Sequence, residues 1–288
     1  MYTAHYGLRE RPFNLTPDPR FLFLSTSHRE ALAHVLYGID QGEGFIAVTG
    51  EVGTGKTTLC RTLIERLAPE TEVAYLFNPA LDPDELLCAI ALELGLPTAG
   101  IDRGERSERL NRFLLDANRR GRRVLLIVDE AQNLSTATLE QMRLLSNLET
   151  SRSKLIQIVL FGQPELDAKL DSSELRQLRQ RISVRCRLGS LSDAEARDYV
   201  RHRIRVAAGD ERDLFTPGAL REIRRRARGI PRLVNLLADR SLLAGFAEGA
   251  RLVDGSHVGR AAREILSARR AHAGGWRSVA LRRRGEIS

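Results

Sequence analysis

Residues 50–57 have the composition and spacing of a phosphate-binding loop. They read Gly50-Glu51-Val52-Gly53-Thr54-Gly55-Lys56-Thr57 and fit the pattern G-x-x-x-x-G-K-[ST]. Glycines let backbone N–H groups surround phosphate oxygens, and a helix starting at the loop adds partial positive charge. Lys56 can reach the β- and γ-phosphates, and the Thr57 hydroxyl can be a ligand of Mg²⁺. We therefore predict a site for ATP and Mg²⁺, with Thr58 completing the binding segment.

Two adjacent acidic residues are the second candidates for chemistry. Asp129 and Glu130 directly follow the apolar run 124–128. Asp129 can hold the water shell of Mg²⁺, and Glu130 can polarise the attacking water as a general base. Acids often follow strands, so this pair is informative only together with the loop at 50–57. The combination predicts ATP hydrolysis. A nucleotide-dependent structural module with little turnover is an alternative, and the intact acidic pair argues against it.

A third polar side chain, Gln163, comes just after the apolar run 155–161. A polar group at this position would lie between the strands that carry the loop and the acidic pair, beside the γ-phosphate. Gln163 is therefore a candidate sensor of that phosphate. A glutamine that only stabilises a turn is the alternative.

Short apolar runs alternating with helical segments must position these residues, and they predict an α/β fold with a five-stranded parallel sheet. The predicted strands are 45–49, 73–77, 124–128, 155–161 and 183–188. From residue 191 onward the pattern is helical, beginning with Ser192 and Glu195 in the arrangement of a capping box. Helices fit at 193–208, 217–228, 231–248 and 255–270. The predicted domains are an α/β core at 45–190 and a small all-α lid at 191–270.

Residues 1–44 are expected to form an arm and a helix ahead of the core. Pro12, Pro17 and Pro19 exclude a regular helix in that stretch, and the aromatic spacing is typical of an extended arm on a globular surface. The arm either only packs or also contacts adenine. A helix from Ser27, with apolar residues on one face, then leads to the first strand.

The bulk composition is that of an ordinary soluble protein. Of 288 residues, 42% are hydrophobic and 28% are charged. No apolar run approaches the roughly 20 residues of a membrane span, and no secretory signal opens the chain. Cys60, Cys88 and Cys186 lack metal-ligand spacing and indicate a reducing cytoplasm.

The net charge of +8 is concentrated at the C-terminal end. Residues 260–288 hold eight arginines and two glutamates, a net of +6, so residues 1–259 carry only +2. Residues 271–288, which include Trp276 and Arg282-Arg283-Arg284, are predicted to be a loose basic tail. That tail either contacts anionic lipid or remains a solvated end.

Together these motifs resemble the AAA+ ATPases, and within them the ExeA/GspA family of general secretion pathway ATPases, with relatives beside exopolysaccharide and exosortase loci. The resemblance covers about residues 1–265. It rests on Tyr6-Gly7-Leu8, Pro12-Phe13, Pro17-Asp18-Pro19, the loop at 50–57, Val128–Leu134, Gly162–Leu166, Leu178–Ile182 and Gly229–Asn235.

The resemblance implies further roles. Arg181 matches an arginine finger that acts on the nucleotide of a neighbouring subunit, with Arg179 as the near alternative. Arg232 matches the sensor-2 arginine, which reaches from the lid to the nucleotide. A finger supplied in trans implies a homo-oligomer formed on ATP binding.

The family also implies a protein partner in a cell-envelope export system and a cytoplasmic location, either in the cytosol or peripheral at the inner membrane. Longer members continue into a membrane span and a periplasmic peptidoglycan-binding domain, and neither is expected within these 288 residues. An ATP-switched scaffold of the transposition type is the alternative function. The near-neutral charge of residues 1–259 argues against DNA binding, whereas the arginines at 221–228 support it.

Overall fold

The computed structural model describes residues 1–16, 18–77, 80–150 and 153–266, and these form two compact units. The α/β unit comprises residues 24–189. The helical unit combines residues 1–23 with the chain from residue 190 onward. The predicted tail at 271–288, and the last four residues of the predicted lid, lie outside the described residues.

The helices and strands alternate through the α/β unit, and helices alone follow it. In chain order the elements are α1 (Tyr2–His5), α2 (Thr26–Asp40), β1 (Phe45–Gly50), α3 (Lys56–Arg66), β2 (Thr71–Phe77), α4 (Pro83–Glu93), α5 (Arg103–Arg119), β3 (Arg123–Asp129), α6 (Thr136–Leu145), β4 (Gln157–Gly162), α7 (Pro164–Leu170), α8 (Arg176–Arg181), β5 (Ile182–Leu188), α9 (Asp193–Ala208), α10 (Pro217–Ala227), α11 (Pro231–Ala247) and a helix over 255–266. Short 3-10 turns occur at Pro19–Phe21 and Ala131–Asn133.

The sheet has five parallel strands in the order β2-β3-β4-β1-β5, which confirms the predicted fold class. β4 lies between β3 and β1, with Val128 opposite Leu160 and Thr49 opposite Gly162. Parallel strands end at the same edge of a sheet. The segments that follow β1, β3 and β4 therefore meet at one edge, which brings together the loop at 50–57, the acidic pair and Gln163.

Both faces of the sheet are covered, so its central strands are apolar on both sides. In β3, Leu126 and Val128 belong to the core packed against α4, α5 and α6, whereas Leu125 and Ile127 belong to the core packed against α2 and α3. These four side chains are fully buried. Burial on both faces holds the carboxyl end of β3 firmly in register with its neighbours.

In the helical unit, α9 begins with the predicted capping box, in which Ser192 and Glu195 cap reciprocally. Residues of the N-terminal arm, including Tyr6, Phe13 and Phe21, are buried in the same core as α9, α10 and α11. The structure therefore divides residues 1–44 between the two units, since the arm packs in the helical unit and α2 packs on the sheet.

Arg203 of α9 anchors the arm within that unit. Its guanidinium is buried and donates to the carbonyl oxygens of Pro12 (2.6 Å) and Asn14 (3.1 Å) and to the hydroxyl of Tyr199 (3.0 Å). It also lies 4.8 Å from the centre of the Phe21 ring.

Two short helices were not expected from the sequence. α1 occupies the first residues of the arm, and α7 begins at Pro164, which only Gln163 separates from the end of β4. Within the described part of the chain, no helix is both long and apolar enough to cross a bilayer.

Candidate nucleotide-binding site

The loop at residues 50–57, here called the phosphate loop, links the end of β1 to the start of α3. Gly53 and Gly55 adopt φ values of 83° and 99°, a region that glycine enters without steric cost. Thr54 closes the turn, because its Oγ1 donates to the carbonyl oxygen of Glu51 at 2.9 Å. The loop therefore has the strand–turn–helix context that the sequence predicts for phosphate binding.

Lys56 is the first residue of α3, and its side chain is almost completely buried. Its Nζ donates to the carbonyl oxygens of Gly50 (2.7 Å) and Glu51 (3.1 Å). Burial lowers the pKa of Lys56 below its ordinary value, and the negative charges of Glu130 and Asp129 partly oppose that shift. The ammonium group is thus held inside the loop with carboxylates nearby.

Thr57 and Asp129 connect the phosphate loop to β3. The Thr57 hydroxyl donates to Oδ2 of Asp129 at 2.8 Å. Asp129 is fully buried, and burial raises its pKa, while hydrogen bonds from Thr57 and from the backbone N–H of Glu130 act in the opposite direction. A hydroxyl and a carboxylate in contact are hard oxygen donors, the kind that Mg²⁺ prefers while it keeps several waters. The residues present fit that ion.

Glu130 lies beside this pair and is held by two amides. Its Oε2 accepts hydrogen bonds from Nε2 of Gln132 (2.6 Å) and Nε2 of Gln163 (2.9 Å). Burial raises the pKa of Glu130, but the hydrogen bonds from Gln163 and Gln132 and the charge of Lys56 outweigh it, so the pKa is lower than usual. Glu130 also has a left-handed backbone, with φ 56°, which is uncommon for a residue with a side chain.

The other candidate residues are placed as follows. Val52 is exposed at the outer turn of the loop, and Thr58 lies half-buried in the first turn of α3.

Arg179 and Arg181 are exposed near the end of α8. The pKa of Glu149 is lowered mainly by Lys154, with a smaller contribution from Arg181. Arg232 is the second residue of α11 in the helical unit, and its side chain is exposed.

Two residues to which the sequence analysis assigned no role take part in the site. Gln132 bonds Glu130 and also accepts the backbone N–H of Gln163 through its Oε1, at 3.0 Å. His28 of α2 contacts the carbonyl oxygen of Thr54 in the phosphate loop. The available signal for His28 was its position on the apolar stripe of α2, three residues before Ala31 and four before Leu32.

The sheet order and the helical region that follows define an AAA+ fold. The chain resembles the ORC2 protein of Aeropyrum pernix, solved with ADPNP and ADP, with a TM-score of 0.65 and 20% identity over 90% of this chain and 72% of that one. It also resembles Cdc6p of Pyrobaculum aerophilum, with a TM-score of 0.67 and 19% identity over 88% of this chain and 70% of that one. At these identities the likeness shows the fold alone.

The family model described as "AAA domain" matches residues 39–170, which include the phosphate loop, Asp129 and Glu130. General secretion pathway protein A of Aeromonas hydrophila is 46% identical over 280 residues, which cover 96% of this chain. The chain is a GspA/ExeA-like AAA domain protein. It spans half the length of that relative.

Proposed function

We propose that this chain is an oligomeric, Mg²⁺-dependent ATPase that powers or regulates assembly of a cell-envelope secretion or export system. The observation that carries the proposal is the hydrogen bond between Thr57 and Asp129, with Glu130 directly beside it. This contact joins the phosphate loop to the acidic end of β3, the two parts that ATP hydrolysis requires.

Each residue of the site has a separate role in the proposed ATP hydrolysis. Lys56 and the backbone N–H groups of the phosphate loop bind the phosphates. Thr57 and Asp129 would hold Mg²⁺, which would neutralise charge on the β- and γ-phosphates. Glu130 takes a proton from the attacking water, and the hydrogen bonds that lower its pKa keep the carboxylate in the ionised form that a base needs. Gln163, bonded to Glu130, orients the carboxylate and senses the γ-phosphate.

Two arginines extend the proposal beyond a single α/β unit. Arg181 is exposed at the end of α8 and is proposed to act on the nucleotide of a neighbouring copy, with Arg179 as the alternative. Arg232, exposed at the start of α11, is proposed to read the nucleotide from the helical unit. Both roles imply a homo-oligomer that responds to ATP.

The export process is proposed from the relative in Aeromonas hydrophila, which is named for the general secretion pathway. Because this chain matches half of that protein, the partner and the location are proposals as well. We propose a protein partner in an envelope export system and a cytoplasmic position, either in the cytosol or peripheral at the inner membrane.

A DNA-associated scaffold is the second candidate, and the ion pairs of α10 give it less support. Arg225 and Arg226 both bond Glu222, and the Nε of Arg224 lies 2.7 Å from Asp193. Charges paired in this way contribute less to a phosphate-binding face. Strong, salt-dependent binding of duplex DNA at physiological salt would favour the scaffold over the export function.

Glu130→Gln tests the proposed ATPase. The variant keeps the size of the side chain but removes the base, so steady-state phosphate release should fall by about 10²–10⁴-fold while ATP binding persists. Glu149→Gln is the matched control, because Glu149 is a glutamate paired with Lys154. Unchanged hydrolysis in Glu130→Gln would refute the assignment of the general base. Failure of the unaltered protein to bind ATP would refute the proposed function.

A further inference from the structure

His28 connects the first turn of α2 to the phosphate loop. It is buried, and its Nε2 lies 2.9 Å from the carbonyl oxygen of Thr54. On the opposite side of the ring, Nδ1 lies 2.6 Å from Oγ of Ser25, which is the N-cap of α2. The imidazole therefore bridges a helix start and the loop, and both ends of the bridge are buried.

The chemistry of these partners assigns the protons on the ring. A carbonyl oxygen can only accept, so Nε2 carries hydrogen and donates to Thr54. In the neutral imidazole, Nδ1 is then an acceptor, and the hydroxyl of Ser25 donates to it. Ser25 in turn is fixed by the helix that it caps, so the ring is held from both sides.

The contact also determines the direction of a loop N–H group. In a trans peptide the C=O and the following N–H point in opposite directions. A Thr54 carbonyl held toward His28 therefore directs the N–H of Gly55 away from α2. The ring also fills the space behind Gly55, because a Cβ on that residue would lie 3.0 Å from Nε2 of His28.

We propose that His28 is a positioning residue of the phosphate loop. By donating to the Thr54 carbonyl, it fixes the Thr54–Gly55 peptide so that the Gly55 N–H is presented to the diphosphate part of a bound nucleoside di- or triphosphate. The inference rests on the proposed function, because it names a residue that prepares the same loop for its phosphates.

Substitution of His28 by asparagine or glutamine distinguishes the effect of the Nε2 donor from the effect of the rest of the ring. The amide nitrogen of glutamine can occupy the position of Nε2, whereas that of asparagine falls at Nδ1 and leaves the Thr54 carbonyl without its donor. In titrations with fluorescent ADP and ATP, His28→Asn should weaken both nucleotides by about tenfold or more. His28→Gln should bind within about twofold of the unaltered protein.

Controls keep the test independent of folding. His34→Asn changes the same residue type on the exposed side of the same helix and should leave both affinities unchanged. Thermal unfolding without nucleotide checks that each variant is folded. Ser25→Ala, which loosens the ring but leaves its contact with Thr54, should weaken ADP binding by a smaller factor.

Two results would overturn the inference while leaving the ATPase proposal intact. One is unaltered ADP affinity in both His28→Asn and Ser25→Ala. The other is a His28→Gln variant as weak as His28→Asn, which would show that the shape of the ring is required and not its donor. Absence of nucleotide binding in the unaltered protein would instead refute the proposed function on which the inference rests.

Discussion

Gln132 and Gln163 are joined by a hydrogen bond of 3.0 Å, in which the backbone N–H of Gln163 donates to Oε1 of Gln132. Their side-chain amides then converge on the same oxygen of Glu130. Lys169 of α7 supports this arrangement by donating to the carbonyl oxygens of Gln132 (2.8 Å) and Leu134 (2.6 Å). The proposed base is thus oriented by residues that follow two neighbouring strands.

The pH dependence of ATP hydrolysis should show how the two glutamine amides affect the pKa of Glu130. Hydrogen bonds to the ionised carboxylate lower the pKa of Glu130, whereas burial raises it. Gln132→Met and Gln163→Met each remove one donor and leave burial in place, so the pKa of Glu130 should rise. The acidic limb of the kcat/KM profile should therefore move to higher pH in both variants, and furthest in the double variant.

Gln41→Met is the control for that profile, because Gln41 is an exposed glutamine at the end of α2. Its acidic limb should coincide with that of the unaltered protein. A limb that stays in place in the double variant would mean that a group other than Glu130 titrates there.

Removal of the Thr57 hydroxyl should weaken the binding of Mg²⁺ in a measurable way. Thr57→Val keeps the shape of the side chain but deletes both the predicted metal ligand and the hydrogen bond to Asp129. The Mg²⁺ concentration for half-maximal hydrolysis should increase by about tenfold or more. Thr62→Val, on the same helix and bonded to the carbonyl oxygen of Thr58, is the matched control. An equal Mg²⁺ requirement in the two variants would exclude Thr57 as a ligand.

Local patterns in the sequence were sufficient for the elements that carry the site. All five strands were predicted, and the continuous apolar signal of a strand buried on both faces is present in β1, β3 and β4. A capping residue placed one helix start equally well, with Ser192 preceding α9 as predicted. The same patterns did not reveal α7, because Pro164, which only Gln163 separates from β4, resembles the end of a strand as much as the first turn of a helix.

The contacts between distant residues could not be predicted in the same way. Gln132 is close to Asp129 and Glu130 in the sequence, but its hydrogen bond to Gln163 depends on β3 and β4 being neighbours in the sheet. His28 contacts a loop residue 26 positions later, and Arg203 contacts Pro12, 191 positions earlier. Periodicity and spacing describe one element at a time, so they carry no information about such pairs.

Arg203 should be required for the N-terminal arm to remain packed. Arg203→Met keeps an apolar stem but leaves the carbonyl oxygens of Pro12 and Asn14 without their donor. Unmet buried acceptors cost about 1–3 kcal/mol, so amide hydrogen exchange in the arm should be about tenfold faster or more. The amide of Arg9, which donates to the carbonyl oxygen of Ala207, is a direct reporter.

Arg201→Met is the control for the arm, because Arg201 lies on the same helix in an exposed ion pair with Asp213. Exposed ion pairs contribute little to stability, so amide hydrogen exchange in the arm should not change. Equal exchange in Arg203→Met and Arg201→Met would show that apolar packing alone holds the arm.

Mixing two inactive variants tests whether Arg181 acts on a neighbouring copy. Arg181→Ala retains an intact phosphate loop, and Lys56→Ala retains an intact Arg181, so each variant alone should hydrolyse ATP at least about 10³-fold more slowly. In an equimolar mixture, up to about a quarter of head-to-tail interfaces would combine a working loop with a working arginine. Phosphate release should therefore recover partially on mixing.

The same experiment can separate Arg181 from its neighbour Arg179. If Arg181 is the finger, Arg179→Ala alone should remain active. If Arg179 is the finger, Arg179→Ala should be inactive alone, and mixing it with Lys56→Ala should restore hydrolysis. Mixing Arg181→Ala with the double variant Lys56→Ala, Arg181→Ala supplies no arginine, so it should restore nothing. Absence of recovery in the Arg181→Ala and Lys56→Ala mixture, under conditions where unaltered copies form oligomers with ATP, would mean that Arg181 does not act across the interface.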